Sequence, residues 1–126
     1  MSTAQLEALA GRRVLLVEDT FIVADELGNA LRRLDCAVVG PFASVDEARP
    51  AAMSEPLDLA LLDINLDGEP VYPIAMQLLE RQIPFVFLTG YSGEAIDGLF
   101  RGFPRLTKPF GPAELQAAMR AALSER

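Results

Sequence analysis

Residues 57–63, Leu57-Asp58-Leu59-Ala60-Leu61-Leu62-Asp63, set a nearly unbroken apolar run directly ahead of a carboxylate. A stretch so short and so apolar reads as a strand buried on both faces, because a strand with one wet face alternates apolar and polar side chains. The run ends at Asp63, and the loop of residues 64–69 that follows contains Asp67-Gly68, a turn signature. A carboxylate at the tip of a doubly buried strand is the first candidate for chemistry.

The pattern recurs on both sides. Residues 13–17 (RVLLV) form a second apolar run, ending at Glu18-Asp19. Residues 20–34 then carry Ile22, Val23, Leu27, Ala30, Leu31 and Leu34 at helical spacing. Residues 37–40 (AVVG) read as a strand, and Ser44 with Glu47 three positions on predicts a capping box opening a helix that Pro50 should disturb. A helix is expected over residues 70–81, with Ile74, Ala75, Leu78 and Leu79 on its apolar face. Residues 85–88 (FVFL) predict a fourth buried strand and residues 103–106 a fifth. Between them, residues 91–101 contain two glycines and few good helix formers, which predicts a short, weak helix. Pro112 suits a first helical turn, and Leu115, Met119, Ala122 and Leu123 follow at core-facing spacing. Leu6 and Leu9 suggest a short extra helix within the first eleven residues.

Five apolar strands alternating with helices indicate an α/β fold, a parallel sheet covered on both faces. In such a sheet the ligand site lies beyond the carboxyl ends of the strands. A chain of 126 residues, 51% hydrophobic, is expected to form one domain over 1–126, with a core spanning about 12–124 and no effector domain. No stretch approaches the ~20 apolar residues of a membrane span, and the first ten residues lack a signal-peptide pattern, so a cytoplasmic protein with no membrane partner is expected. Eighteen acidic against eleven basic residues, net −7, argue against nucleic acid as a partner. The single cysteine, Cys36, excludes an internal disulfide, and its plain role is a small buried hydrophobe. No histidine is present, so Ser-His or Cys-His nucleophile pairs are excluded and any metal must take oxygen ligands, which suits Mg²⁺.

Read in order, the strand ends carry Glu18-Asp19, Asp63, Thr89 and Lys108. Each alone has a structural explanation as a cap, turn or surface residue. Together they are more telling, because carboxylates crowded in a low-dielectric cleft repel one another unless a cation sits among them. With Mg²⁺ present, Asp63 can act as a nucleophile toward a phosphoryl group, forming an aspartyl phosphate. Lys108 supplies positive charge to that group, Thr89 a hydroxyl donor, and Gly90 leaves room beside it.

In this order and spacing, Glu18-Asp19, Asp63, Thr89 and Lys108-Pro109 resemble the receiver domain of two-component response regulators, over residues 14–123. Asp63-Ile64-Asn65-Leu66 with Gly68-Glu69, and the segment from Pro84 to Tyr91, look like the alphaproteobacterial subgroup named for a Phe-Ala-Thr-Gly motif, with Leu88 replacing its alanine. The resemblance implies a flavodoxin-like (βα)5 fold of strand order 2-1-3-4-5. It implies Mg²⁺ held by Asp19, Asp63 and the backbone carbonyl of Asn65, with Glu18 assisting. It further implies a sensor histidine kinase or histidine phosphotransfer protein as phosphoryl donor, no enzymatic activity beyond the domain's own phosphorylation and dephosphorylation, a separate downstream protein, and a face that could carry a weak homodimer.

The sequence departs from that pattern at one place. The family's switch aromatic, three positions before the lysine, is here Arg105. Tyr91 is the aromatic that could report phosphorylation instead, and its ring could also slow the attack of water, which predicts a longer-lived phosphoryl group. Two other classes stay in view. An aspartyl-nucleophile phosphatase needs a second aspartate two positions after the first, where Asn65 stands, and needs room for a substrate cap. A degenerate receiver acting as a phosphorylation-independent binding module would be free to lose the five site positions, all of which are present.

Overall fold

The computed structural model describes residues 8–90, 96 and 98–125. Five strands, β1 (Arg13–Val17), β2 (Ala37–Phe42), β3 (Leu59–Asp63), β4 (Phe85–Thr89) and β5 (Arg105–Thr107), form one sheet of order β2-β1-β3-β4-β5 with every pair parallel. Among the described residues, four helices connect or follow them: α1 (Phe21–Arg33), α2 (Val45–Ser54), α3 (Tyr72–Glu80) and α4 (Pro112–Ser124). This is a flavodoxin-like fold, in the strand order expected.

Side-chain alternation along the buried strands feeds two cores. Leu15, Val17, Ala60, Leu62, Phe85 and Phe87 face α2 and α3, meeting Ala48, Ala52, Ile74 and Leu78. Val14, Leu16, Leu59, Leu61, Val86 and Leu88 face α1 and α4, meeting Leu27, Leu31, Leu115 and Met119. Register carries the tips of the strands to a common edge, with Val17 beside Leu62, Asp63 beside Leu88, and Thr89 beside Thr107.

Several boundaries differ from the sequence reading. β2 runs past Gly40 to Phe42 by way of a bulge, and Gly40 has φ +113° with the carbonyl oxygen of Leu16 2.7 Å from where a Cβ would sit. Pro41 is tolerated there because β2 is an edge strand. α2 continues through Pro50, whose carbonyl accepts from the Ser54 hydroxyl at 2.9 Å, because Ala51 and Ala52 beyond it are buried. The capping box is half as expected: the Glu47 N–H donates to Ser44 Oγ at 3.1 Å, but the Glu47 carboxylate reaches one residue further back, to the Ala43 N–H at 3.0 Å.

Pro70 does not open a helix. It pairs with Asn65 in a small hairpin, Asn65–Leu66 against Glu69–Pro70, turned by Asp67 (φ 53°) and Gly68 (φ 88°). Two successive positive φ values are what a two-residue hairpin turn requires, and Asp-Gly supplies them. α3 therefore starts at Tyr72, and its buried face is Ile74, Ala75 and Leu78, leaving Leu79 38% exposed on its flank. Ile22 is likewise exposed, as is Phe21, because α1 meets the core only from Val23 onward.

β5 is shorter than expected and begins at Arg105. Phe103 instead stacks on Phe85, with centroids 5.2 Å apart, in a cluster with Phe87, Phe100 and Tyr72. Residues 91–95 and 97, on which the weak helix was expected, lie outside the described residues. The part that is described, Gly98–Phe100, is a 3₁₀ turn whose Phe100 is buried in that cluster. Of the first eleven residues, 1–7 also lie outside the description, and Leu9 is buried against the α1 side of the sheet.

Candidate functional site at the carboxyl edge of the sheet

Three polar side chains are buried among the described residues, Glu18, Asp63 and Thr89, and all stand at this edge. Glu18 follows β1, Asp63 ends β3 and Thr89 ends β4, so each is delivered by a strand whose apolar residues are locked into the core. Carboxylate oxygens of Glu18, Asp19 and Asp63 lie within 4.8 Å of one another. Lys108, just past β5, donates from Nζ to Glu18 Oε1 at 2.6 Å and stands 3.5 Å from Asp63 Oδ2.

The second oxygen of Glu18 accepts from the Thr20 N–H at 3.1 Å, so this buried carboxylate is held at both ends. Burial pushes the Glu18 carboxyl up, but its hydrogen bonds to Asp63, Lys108 and Thr20 outweigh that and hold it below the ordinary value. Asp63 goes the other way. Burial, then the hydrogen bond and like charge of Glu18, push its carboxyl up to about 8. Burial would lower Lys108, but Glu18 and Asp63 together raise it, so it stays a cation. Two adjacent carboxyls with displaced affinities for protons are what like charges in a confined, poorly hydrated site produce.

Asn65 follows Asp63 by two positions. Its side-chain oxygen accepts from the Gly68 N–H at 2.7 Å and closes the hairpin turn, while its own N–H points to Asp63 Oδ1 at 3.4 Å. Gly90 directly follows β4 and is partly buried. Pro109 follows Lys108 through a cis peptide and is exposed. Arg105 lies on the exposed edge of β5, where its guanidinium donates to the carbonyl of Arg101. Tyr91 lies outside the described residues.

The sequence reading passed over Thr107. Its hydroxyl accepts from Thr89 at 3.2 Å, and Leu106 O lies 3.4 Å from the same Thr89 hydroxyl. Counting back from Lys108 along β5 would have set Thr107 opposite Thr89, so register was the available signal.

The chain belongs to the response regulator receiver domain family, whose pattern it matches over residues 14–120. Such domains are signalling modules of two-component systems. The chain is similar to the uncharacterized transcriptional regulatory protein YbdJ of Bacillus subtilis, 31% identical over 91% of this chain and 52% of that protein. It therefore spans about half the length of the curated relatives it matches. Among solved structures it is similar to SdrG of Sphingomonas melonis Fr1, with 37% identity and a TM-score of 0.79, covering 94% of this chain and 99% of that one. It is also similar to the response regulator PhyR of Brucella abortus, with 28% identity and a TM-score of 0.79, covering 99% of this chain and 54% of that one.

Proposed function

We propose that this domain accepts a phosphoryl group on Asp63 from a phosphohistidine of a sensor kinase or phosphotransfer protein, in a Mg²⁺-dependent reaction, and passes the signal on by contact with another protein. The observation that carries the reading is the clustering of Glu18, Asp19 and Asp63 within 4.8 Å, with the Lys108 ammonium as the cation paired to Glu18 and Asp63 among the described residues. That donor set fits a hard divalent cation. All-oxygen ligation suits Mg²⁺, and burial together with the neighbouring Glu18 pushes the Asp63 carboxyl up to about 8, a cost that a bound cation would relieve.

Asp19, Asp63 and the carbonyl of Asn65 would hold the ion, with Glu18 close by. When bound, it would neutralise the carboxylates and the incoming phosphoryl oxygens. The chain's own residues do the rest. An Asp63 carboxylate oxygen attacks phosphorus in line. A P–O bond forms, the P–N bond to the donor imidazole breaks, and the departing nitrogen takes a proton from solvent. Lys108, held near Asp63 by its bond to Glu18, contributes positive charge to the transferred group, and the Thr89 hydroxyl donates to one of its oxygens. Since the 126 residues include no histidine, they receive the group and cannot donate it from an imidazole.

Incubation with acetyl phosphate or beryllofluoride, followed by intact mass and NMR, tests this. Mg²⁺-dependent uptake that vanishes in Asp63→Asn is the expected outcome. Failure of the wild type to take up either reagent would favour a phosphorylation-independent binding module.

A further inference from the structure

We infer that Thr107 is a positioning residue for the phosphorylation response, holding the Thr89 hydroxyl against β5 until a phosphoryl group draws it away; this rests on the reading of Asp63 as acceptor. Thr89 is 2% exposed, so its hydroxyl must find a protein partner. Among the described residues, both of its hydrogen bonds go to β5: Thr107 Oγ1 at 3.2 Å and Leu106 O at 3.4 Å. Each is longer than a good O–H···O bond, so one proton is shared between two weak acceptors. A hydroxyl held in this way is occupied but not trapped.

The surroundings leave that task to Thr107. Parallel register sets Thr89 opposite Thr107 and Phe87 opposite Arg105, so the β5 side chains on this face are a threonine and an arginine. The arginine is turned outward to the Arg101 carbonyl and does not compete for the Thr89 hydroxyl. Charge appearing on Asp63 offers a stronger acceptor than a neutral hydroxyl, because hydrogen bonds to ionised groups are about twice as strong. Turning Thr89 toward it frees the Thr107 hydroxyl on an exposed edge strand, where a partner could read the change.

Replacing Thr107 by valine keeps its shape and strand preference and removes the acceptor, while Thr107→Ser keeps the hydroxyl. Loss of one neutral hydrogen bond that favours the resting state should lower the beryllofluoride concentration for half-occupancy about three- to tenfold in Thr107→Val. Thr107→Ser should match the wild type, and Thr107→Val should have no effect on a Thr89→Ala background. A second readout needs no phosphoryl analogue. Scalar couplings reporting the Thr89 χ1 rotamer should change in resting Thr107→Val and stay unchanged in Thr107→Ser. Equal midpoints for wild type and Thr107→Val, or a Thr89 rotamer unmoved by it, would overturn the assignment. If the wild type itself takes up no beryllofluoride, the acceptor reading falls, and the rotamer alone decides whether Thr107 holds Thr89.

Discussion

Asp63 and Glu18 are chemically alike and are set apart by their contacts. Glu18 has an ammonium at 2.6 Å and an N–H at 3.1 Å, whereas Asp63 has burial and a neighbouring carboxylate. The consequence for stability without a bound cation can be stated with its sign. Asp63 titrates near 3.8 when unfolded and about 8 when folded, so its contribution is fully present below pH 4 and is lost as pH rises through 8. Glu18, lowered on folding, acts in the opposite sense only at acid pH, and Lys108, raised from an already high value, is level across this window. The metal-free melting temperature should therefore fall between about pH 5 and pH 8, and Asp63→Asn should flatten that slope in a calorimetric pH series. Lys108→Ala leaves Glu18 buried without its cation, and urea unfolding at pH 8 should show a loss of about 1–3 kcal/mol, smaller at pH 5 where the carboxyls can take up protons.

Among the elements, α2 and β2 depend most on contacts distant in sequence. α2 ends without a basic residue in its last turn, and Arg81, from beyond α3, closes it by donating to the carbonyls of Ala52 at 2.8 Å and Glu55 at 2.7 Å. Arg81→Ala should cost about 1–2 kcal/mol in chemical denaturation, with the phosphoryl-uptake chemistry unaffected. The β2 bulge depends on Gly40. A Cβ there would meet the Leu16 carbonyl at 2.7 Å with the backbone at φ +113°, so Gly40→Ala should destabilise by about 2–4 kcal/mol and shift amide resonances of β1 and β2 before those of α4.

For the molecule as a whole, the proposed cation site would link binding to folding, since the three carboxylates meet only when β1 and β3 are paired. Mg²⁺ at ten times its dissociation constant should raise stability by about 1.4 kcal/mol, seen as a higher melting temperature. The rise should be greater at pH 8 than at pH 6, where a proton competes at Asp63, and absent in Asp63→Ala. Equal shifts in wild type and variant would place the ion elsewhere.

The alternating pattern was legible without coordinates because strands buried on both faces are largely apolar, and RVLLV, LALL and FVFL are too short for core helices and are bounded by polar or turn residues. Asp63, Glu18-Asp19 and Thr89 were legible as candidates for the same reason, each being a polar residue where an apolar run stops, and Lys108 followed as the cation just past the expected fifth strand. The hairpin was hidden because its strands are two residues long, too short for any periodicity, although Asp67-Gly68 named its turn. Leu79 and Ile22 were misplaced because helical spacing identifies a stripe but not where along it the sheet ends. Composition and periodicity thus determined the layers and the edge that would bear the chemistry. Folding decided the proton affinities of Glu18 and Asp63, the Arg81 closure of α2 and the pairing of Thr89 with Thr107, since each depends on distances between residues that sequence leaves far apart.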